Sequence, residues 1–169
     1  MRTPSRITLG LAAAAVLAAG MAVPAQAADT TATVAVTPGT LSLTAPAAFD
    51  LGAIVPGSTT SGVLSGITVT DERAGELGWV ASVSVSDFAG SATSNTIAAS
   101  NVGYAANAAT VAGTAVVAPA TVSGEGGAVQ TATGVKGVNS ATWDADVSIT
   151  VPADAIADNY TATIVHSVI

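Results

Sequence analysis

The sequence predicts an all-β protein: a single antiparallel β-sandwich domain that follows a cleaved N-terminal signal peptide. Residues 79–86 and 143–151 alternate between apolar and polar side chains with a period of two. Successive side chains of a strand point to opposite faces, so each segment predicts one core-facing and one solvent-facing side. Such one-sided alternation is typical of antiparallel sheets. After the first 27 residues, no long segment has the period of a helix.

Residues 1–27 are typical of an export signal. A basic start with two Arg residues precedes a long uncharged stretch that is rich in Ala. Pro24 then interrupts a helix, and Ala25-Gln26-Ala27 matches an Ala-x-Ala cleavage site. We expect cleavage after Ala27, with an uncleaved N-terminal anchor as the alternative. The mature domain would comprise residues 28–169, and we expect it to be secreted and free of the membrane.

Turn residues separate the remaining elements. Thr37-Pro38-Gly39 and Pro56-Gly57-Ser58 are turn signals, and they delimit further strand candidates at residues 31–37, 41–44, 63–70 and 160–168. Residues 152–159 are too polar for a core element and have room for one helical turn. Small and polar residues dominate the segment 91–137, where register is weakly specified, so we expect edge strands and long loops there.

The charge distribution excludes several partners. Two of the four basic residues lie in the signal and all eleven Asp and Glu follow it, so the mature chain has a net charge of −9. An acidic chain without clustered Lys and Arg is not expected to bind nucleic acid or an anionic membrane. The chain has no Cys, so its fold depends on its core and not on disulfides.

Catalytic chemistry is sparse. His166 is the one histidine, no Gly-x-Ser-x-Gly elbow occurs, and zinc would need more His or Cys ligands. On the last predicted strand His166 shares a face with Tyr160 and Ile164, which favours a packed imidazole over a catalytic one. We therefore expect no enzyme activity and no cofactor.

Carboxylates are the remaining chemical groups. They cluster on the predicted strand at Asp144 and Asp146, in the following loop at Asp154 and Asp158, and around Asp71, Glu72 and Glu76. Loop carboxylates can bind calcium, but no Asp-x-Asp-x-Asp-Gly loop is present. A solvated acidic surface is the favoured interpretation and calcium binding is the alternative.

Aromatic residues lie at or near strand starts: Phe49, Trp79, Phe88, Tyr104, Trp143 and Tyr160. We expect these rings to build the core. The alternative is an exposed platform that stacks on sugars.

The order of several segments resembles the WxL-type cell-wall-binding domain of exported Gram-positive proteins. These segments include Pro38-Gly39-Thr40-Leu41-Ser42-Leu43, Phe49-Asp50-Leu51-Gly52, Gly78-Trp79-Val80-Ala81-Ser82-Val83 and Asp158-Asn159-Tyr160-Thr161-Ala162-Thr163-Ile164. The first Trp-x-Leu of the family corresponds to Trp79-Val80-Ala81, which lacks the Leu. The second corresponds to His166-Ser167-Val168, which lacks the Trp.

The resemblance implies a β-rich exported domain that associates non-covalently with peptidoglycan or with partner surface proteins. Trp79, Tyr160 and His166 are then the candidate binding residues. We expect a non-catalytic binding module of the cell surface or cell wall. The alternative is a structural subunit that assembles through sheet edges.

Overall fold

The computed structural model describes residues 29–169, and the predicted signal peptide lies outside the described residues. Residues 36–169 form one compact unit. Between residues 29 and 169 the chain forms eleven strands, one short 3-10 turn at Ala99–Asn101 and no α-helix. The strands are β1 Leu41–Thr44, β2 Thr59–Asp71, β3 Trp79–Val85, β4 Phe88–Gly90, β5 Thr96–Ile97, β6 Val102–Ala106, β7 Thr110–Pro119, β8 Thr121–Ser123, β9 Gly127–Thr150, β10 Tyr160–Thr161 and β11 Ile164–Val168.

Eight strands form one large antiparallel sheet around the central strand β9. β2 and β3 pair with one edge of β9, and β6 and β7 pair with its opposite edge. β1 pairs in turn with β2, and β11 pairs with β3, which gives the order β1-β2-β9-β3-β11. β8 pairs with β6, while β10, β4 and β5 form a separate three-stranded sheet. The predicted antiparallel all-β fold is confirmed.

The large sheet is nearly closed because β9 bends. Tyr104 on β6 is paired with Val147 near the end of β9. His166 on β11 is paired with Val83 on β3, which is paired with Gly127 at the start of β9. A straight strand would separate these two positions by roughly 65 Å. The Tyr104 hydroxyl oxygen nevertheless lies 3.1 Å from His166 Nε2. The two halves of the sheet therefore face each other across the core.

The bend lies between the segment of β9 that pairs with β3 and the segment that pairs with β2. Gly134 and Gly137 are in this interval, with φ angles of 61° and 74°. A Cβ at either position would meet no atom within 4 Å, so the glycines are required by backbone conformation and not by space. Irregular pairing in β7 at Gly113 and Thr114 follows the same bend on the opposite edge.

The core consists mainly of Val, Ile and Ala from the inward faces of β2, β3, β6 and β9. Trp79, Tyr104 and Trp143 are each 2% exposed or less. Tyr160 and Ile164 are half-buried against this cluster, as are Phe49 and Phe88. The predicted core of aromatic rings and alternating aliphatic residues is confirmed.

The predicted strand at residues 31–37 is wrong. These residues carry no regular secondary structure and are exposed. The composition favours a strand, but a strand is stable only when a neighbouring edge completes its hydrogen bonds and covers its apolar face. Residues 152–159 likewise form turns and bends without a helical turn.

The segment 91–137 is more ordered than the sequence predicts. It contains β5 to β8 and the first part of β9, and Val102, Tyr104 and Val129 in it are buried. Pairing with β9 sets a register that small residues could not set locally. The predicted strand at 160–168 is divided into β10 and β11, which belong to different sheets. Side-chain burial still alternates along its whole length.

Candidate binding site

Trp79 lies inside the core and not on a surface. Its side chain is 1% exposed, and its indole Nε1 donates to Asn139 Oδ1 at 3.2 Å. Asn139 is itself 3% exposed, and its Nδ2 donates to Asp71 Oδ2 at 3.3 Å. The indole thereby joins β3 to β9 and β2. We assign Trp79 a structural role, because a ligand at the surface cannot reach it.

Asp71 anchors the loop between β2 and β3. Arg73 donates from Nε to Oδ1 at 2.9 Å and from a terminal nitrogen to Oδ2 at 3.0 Å, and it also donates to the carbonyls of Leu77 and Gly78. The hydrogen bonds from the Arg73 side chain hold the pKa of Asp71 below its usual value, against the opposing effect of burial. Asp71 is therefore a buried carboxylate in an ion pair with the partly exposed Arg73, and it is not part of a solvated acidic surface. The sequence signal was the Asp-x-Arg spacing within the acidic cluster.

His166 is half-buried at one side of the core. Its Nε2 lies 3.1 Å from the hydroxyl of Tyr104, and the two rings meet edge to face with centroids 5.7 Å apart. Burial lowers the pKa of His166 and raises the pKa of Tyr104 to about 12. The Trp143 indole N–H, which has no partner at hydrogen-bonding geometry, is near enough to the phenol to offset part of that rise. At neutral pH both groups are therefore uncharged, and the tautomer of the imidazole determines which of the two donates.

A large groove of about 570 Å³ opens between the small sheet and one end of the large sheet. Its apolar lining side chains include Phe49, Leu51, Ile54, Phe88, Tyr160 and Ile164. The Tyr160 hydroxyl donates to the carbonyl oxygen of Ile156 at 2.8 Å, which orients the ring along the groove. Of the predicted site residues, Tyr160 lies in this groove.

A small groove of about 300 Å³ adjoins the large one and contains His166. Its lining comprises Pro46, Ala47, Ala48, Phe49, Leu64, Ala162, Thr163, Ile164 and His166, with no Asp, Glu, Lys or Arg. Phe49, Ala162 and Ile164 border both grooves. The structure thus brings Tyr160 and His166 to two adjoining grooves and places Trp79 elsewhere.

The loop between β1 and β2 forms the shared wall of the grooves. Phe49 and Leu51 pack partly buried against the core, and the Thr60 hydroxyl donates to the carbonyl oxygen of Leu51 at 3.2 Å. Gly62 lies under the Phe49 ring, where an added Cβ would be 3.0 Å from it. The sequence indicated Phe49 as a core ring, but not that its loop would divide two grooves.

Asp158 closes one end of the large groove. Its carboxylate accepts hydrogen bonds from the Thr93 hydroxyl at 2.7 Å and from the backbone N–H groups of Ala92, Thr93 and Asn159. These donors, with the Thr93 hydroxyl first, hold the pKa of Asp158 far below its usual range. The carboxylate is occupied by the protein itself, which leaves it poorly suited to bind calcium.

Within residues 29–169, no cluster of three or more His, Asp and Glu side chains is arranged to hold a metal ion. Over the same residues, no helix has the length and hydropathy of a membrane span. Neither the protein-family models nor the curated proteins give a match to this chain.

Proposed function

We propose that this protein is an exported, non-catalytic binding module of the Gram-positive cell surface, attached non-covalently to the cell wall or to a surface partner. The single observation that carries the proposal is the pair of adjoining grooves, whose lining side chains are mostly apolar. Together they place Phe49, Tyr160 and Ile164 at an opening in the structure instead of in a closed core. Open apolar concavities with few polar groups are the usual form of binding sites.

The state of His166 favours binding over catalysis. A general base must be within hydrogen-bonding reach of a nucleophile that it can activate. The neighbour of His166 Nε2 is the hydroxyl of Tyr104, a fully buried phenol whose pKa is raised to about 12. Such a pair is suited to holding two strands together and poorly suited to proton transfer with a substrate.

The chemistry of the grooves favours a protein partner over a glycan. A glycan presents many hydroxyl groups, which lose hydrogen bonds with water unless the site replaces them. The small groove is lined by Ala, Pro, Phe, Leu and Ile with one Thr and one uncharged His. Apolar side chains of a partner surface protein would fit this lining better, so peptidoglycan itself is the second candidate.

Export is tested by N-terminal sequencing of the protein collected outside the cell. We expect a chain that begins at or near Ala28, because Ala25-Gln26-Ala27 is the predicted cleavage site. A chain that retains Met1 and stays with the membrane fraction would contradict both cleavage and a role at the outer surface.

Binding is tested by retention on purified Gram-positive walls, either untreated or stripped of their proteins. Retention on untreated walls alone identifies a surface-protein partner, and retention on both identifies peptidoglycan. Retention on neither contradicts the proposal.

A matched pair of variants locates the site. Ile156 borders the large groove and is 54% exposed, whereas Val138 lies on β9 outside both grooves and is 58% exposed. We expect Ile156→Asp to reduce retention at least tenfold and Val138→Asp to leave it unchanged, with similar melting curves for both. Equal retention would place the binding surface away from the grooves.

A further inference from the structure

Residues 31–37 have the properties of a strand without a sheet. Ala32, Val34 and Val36 alternate with polar or small residues, and the segment contains no charge. Val34 and Val36 are 90% and 78% exposed, and no residue of the segment is in a strand. Exposed β-branched residues in an unpaired extended pattern are prone to add to a free sheet edge. Among residues 29–169, no strand pairs with this segment.

β2, the strand that pairs with β1, offers no edge to residues 31–37. Gly39 N donates to the carbonyl oxygen of Glu72, and Glu72 N donates to that of Thr40, so pairing with β1 ends just beyond the end of β2. After Glu72 the chain turns away into the loop that leads to β3. Pro38 has no N–H to continue the ladder. Lengthening β1 backwards would therefore give a strand with no neighbour.

β11 presents a free edge. Val80 and Ile169 exchange both backbone hydrogen bonds, at 2.9 and 3.1 Å. Backbone groups of an antiparallel strand alternate in direction, so those of Ser167 also point towards β3 and those of Ile164 and His166 point away. In the part of the chain that the structure describes, β11 pairs with β3 alone, and β1 contacts it without a ladder.

The small groove runs beside this free edge. Ala162, Ile164 and His166 form one wall, and residues 46–49 with Leu64 form the other. β1 ends at Thr44, before this stretch, which explains why no strand covers it. The groove is therefore an uncharged channel with mostly apolar side chains and with exposed polar backbone groups.

We propose that residues 31–37 of one copy add as a strand to β11 of a second copy and place Val34 and Val36 in its small groove. This inference rests on the proposed function, because it names the partner of the same site. Seven residues of strand span about 23 Å and the five of β11 about 16 Å, so the segment is long enough. Because donor and acceptor are different surfaces, copies can exchange segments in reciprocal pairs or join head-to-tail into rings or chains.

Charge determines the conditions for assembly. The mature chain has a net charge of −9, so two copies repel each other at long range. Neither residues 31–37 nor the lining of the small groove contains an ionised side chain at neutral pH, so the contact itself involves no like-charge pair. Salt screens the long-range repulsion. Assembly should therefore increase with ionic strength.

The test is the molar mass of the exported chain in solution by light scattering, over a range of protein and salt concentrations. We expect the mass to rise with both. Val34→Asp places a charge on the face that enters the groove and should leave a monomer. Thr33→Asp adds the same charge on the opposite face and should still assemble. A monomer at every concentration, or equal assembly of both variants, would overturn the inference.

Cross-linking locates the acceptor, since the chain has no natural Cys. A mixture of Val34→Cys and Ala48→Cys proteins should form a disulfide-linked dimer under mild oxidation, whereas Val34→Cys with Val138→Cys should not. Equal cross-linking in both mixtures would place the donor elsewhere and overturn the inference. Wall retention separates the two proposals: a retained monomer contradicts this inference alone, and an assembling chain without retention contradicts wall binding alone.

Discussion

The hydroxyl of Tyr104 on β6 lies 3.1 Å from Nε2 of His166 on β11, and this contact joins the two facing halves of the large sheet. Tyr104 is completely buried and His166 is half-buried. Both groups are uncharged at neutral pH, because burial raises the pKa of the phenol to about 12 and lowers that of the imidazole. The pair satisfies two polar groups that the core would otherwise leave without partners.

Tyr104→Phe tests how much this contact contributes to the free energy of unfolding. The variant keeps the ring and removes the hydroxyl, so we expect a loss of about 0.5–1.5 kcal/mol in the free energy of unfolding, measured in urea at pH 7. His166→Gln should also reduce stability modestly, and it should leave wall retention unchanged where the partner contacts the large groove, since His166 lines only the small one. Normal folding of His166→Gln with loss of retention would instead make His166 a contact residue of the binding surface.

The lowered pKa of His166 predicts a pH dependence. The unfolded chain binds a proton near pH 6.5, whereas the folded chain does so only at lower pH. The free energy of unfolding is therefore unaffected by His166 above pH 6.5 and falls as pH decreases below that value. Unfolding measured between pH 7.5 and 5 should show this fall in the native chain and in Tyr104→Phe. A fall of the same size in His166→Gln would assign it to other groups.

Asp71→Asn tests the buried ion pair. Arg73 lowers the pKa of Asp71 in the folded state, so its stabilisation is present above the unfolded pKa, near 3.8, and is lost as pH falls through the lower folded value. At pH 7 we expect a loss on the order of 1–3 kcal/mol, because a buried charge-assisted pair is broken. Glu72→Gln is the control, since Glu72 is exposed. Equal melting temperatures for the two variants would contradict this account.

Val147→Ala tests the register of β9. Val147 is 1% exposed, so we expect a loss of about 1–4 kcal/mol from reduced burial and a residual cavity. Ser84 lies on the outer face of β3, and Ser84→Ala should change the stability by less than about 0.5 kcal/mol. Denaturant unfolding of both variants measures the difference. Equal tolerance would place Val147 outside the core.

Gly134→Ala tests the bend in β9. The φ angle of 61° is unfavourable for Ala, and no atom would contact the added Cβ, so the expected loss of about 1 kcal/mol comes from the backbone alone. Gly134→Asn should cost less, because Asn adopts this conformation more readily. Unchanged stability in the Ala variant would show that the bend does not require a glycine at this position.

Alternation in the sequence predicted the strands that face the core. β3 was predicted within one residue, β1 was predicted with its observed bounds, and β2 and the second half of β9 were located. The buried positions of Trp79, Trp143 and Val147 were predicted with them. These elements could be predicted from the sequence, because a period of two with one apolar face specifies both the strand and the side that faces the core.

The candidate site was harder to predict from the sequence, because distant elements bring its residues together. Phe49, Tyr160 and His166 come from the loop after β1, from the small sheet and from the last strand. Asp71 was predicted as part of a solvated acidic surface with Glu72 and Glu76, since sequence alone does not show which carboxylates leave water.

By itself, the sequence determined the fold class and the faces of the strongly alternating strands, because these depend on local periodicity. Only the tertiary structure decided the rest. It bent β9 at Gly134 and Gly137, joined Tyr104 to His166 across the core, and gave residues 31–37 no strand partner within the described part of the chain. The physical reason is that a strand's edge contacts lie in other parts of the chain. The same apolar alternation therefore gives a buried strand where another strand offers a free edge, and an exposed segment where no strand offers one.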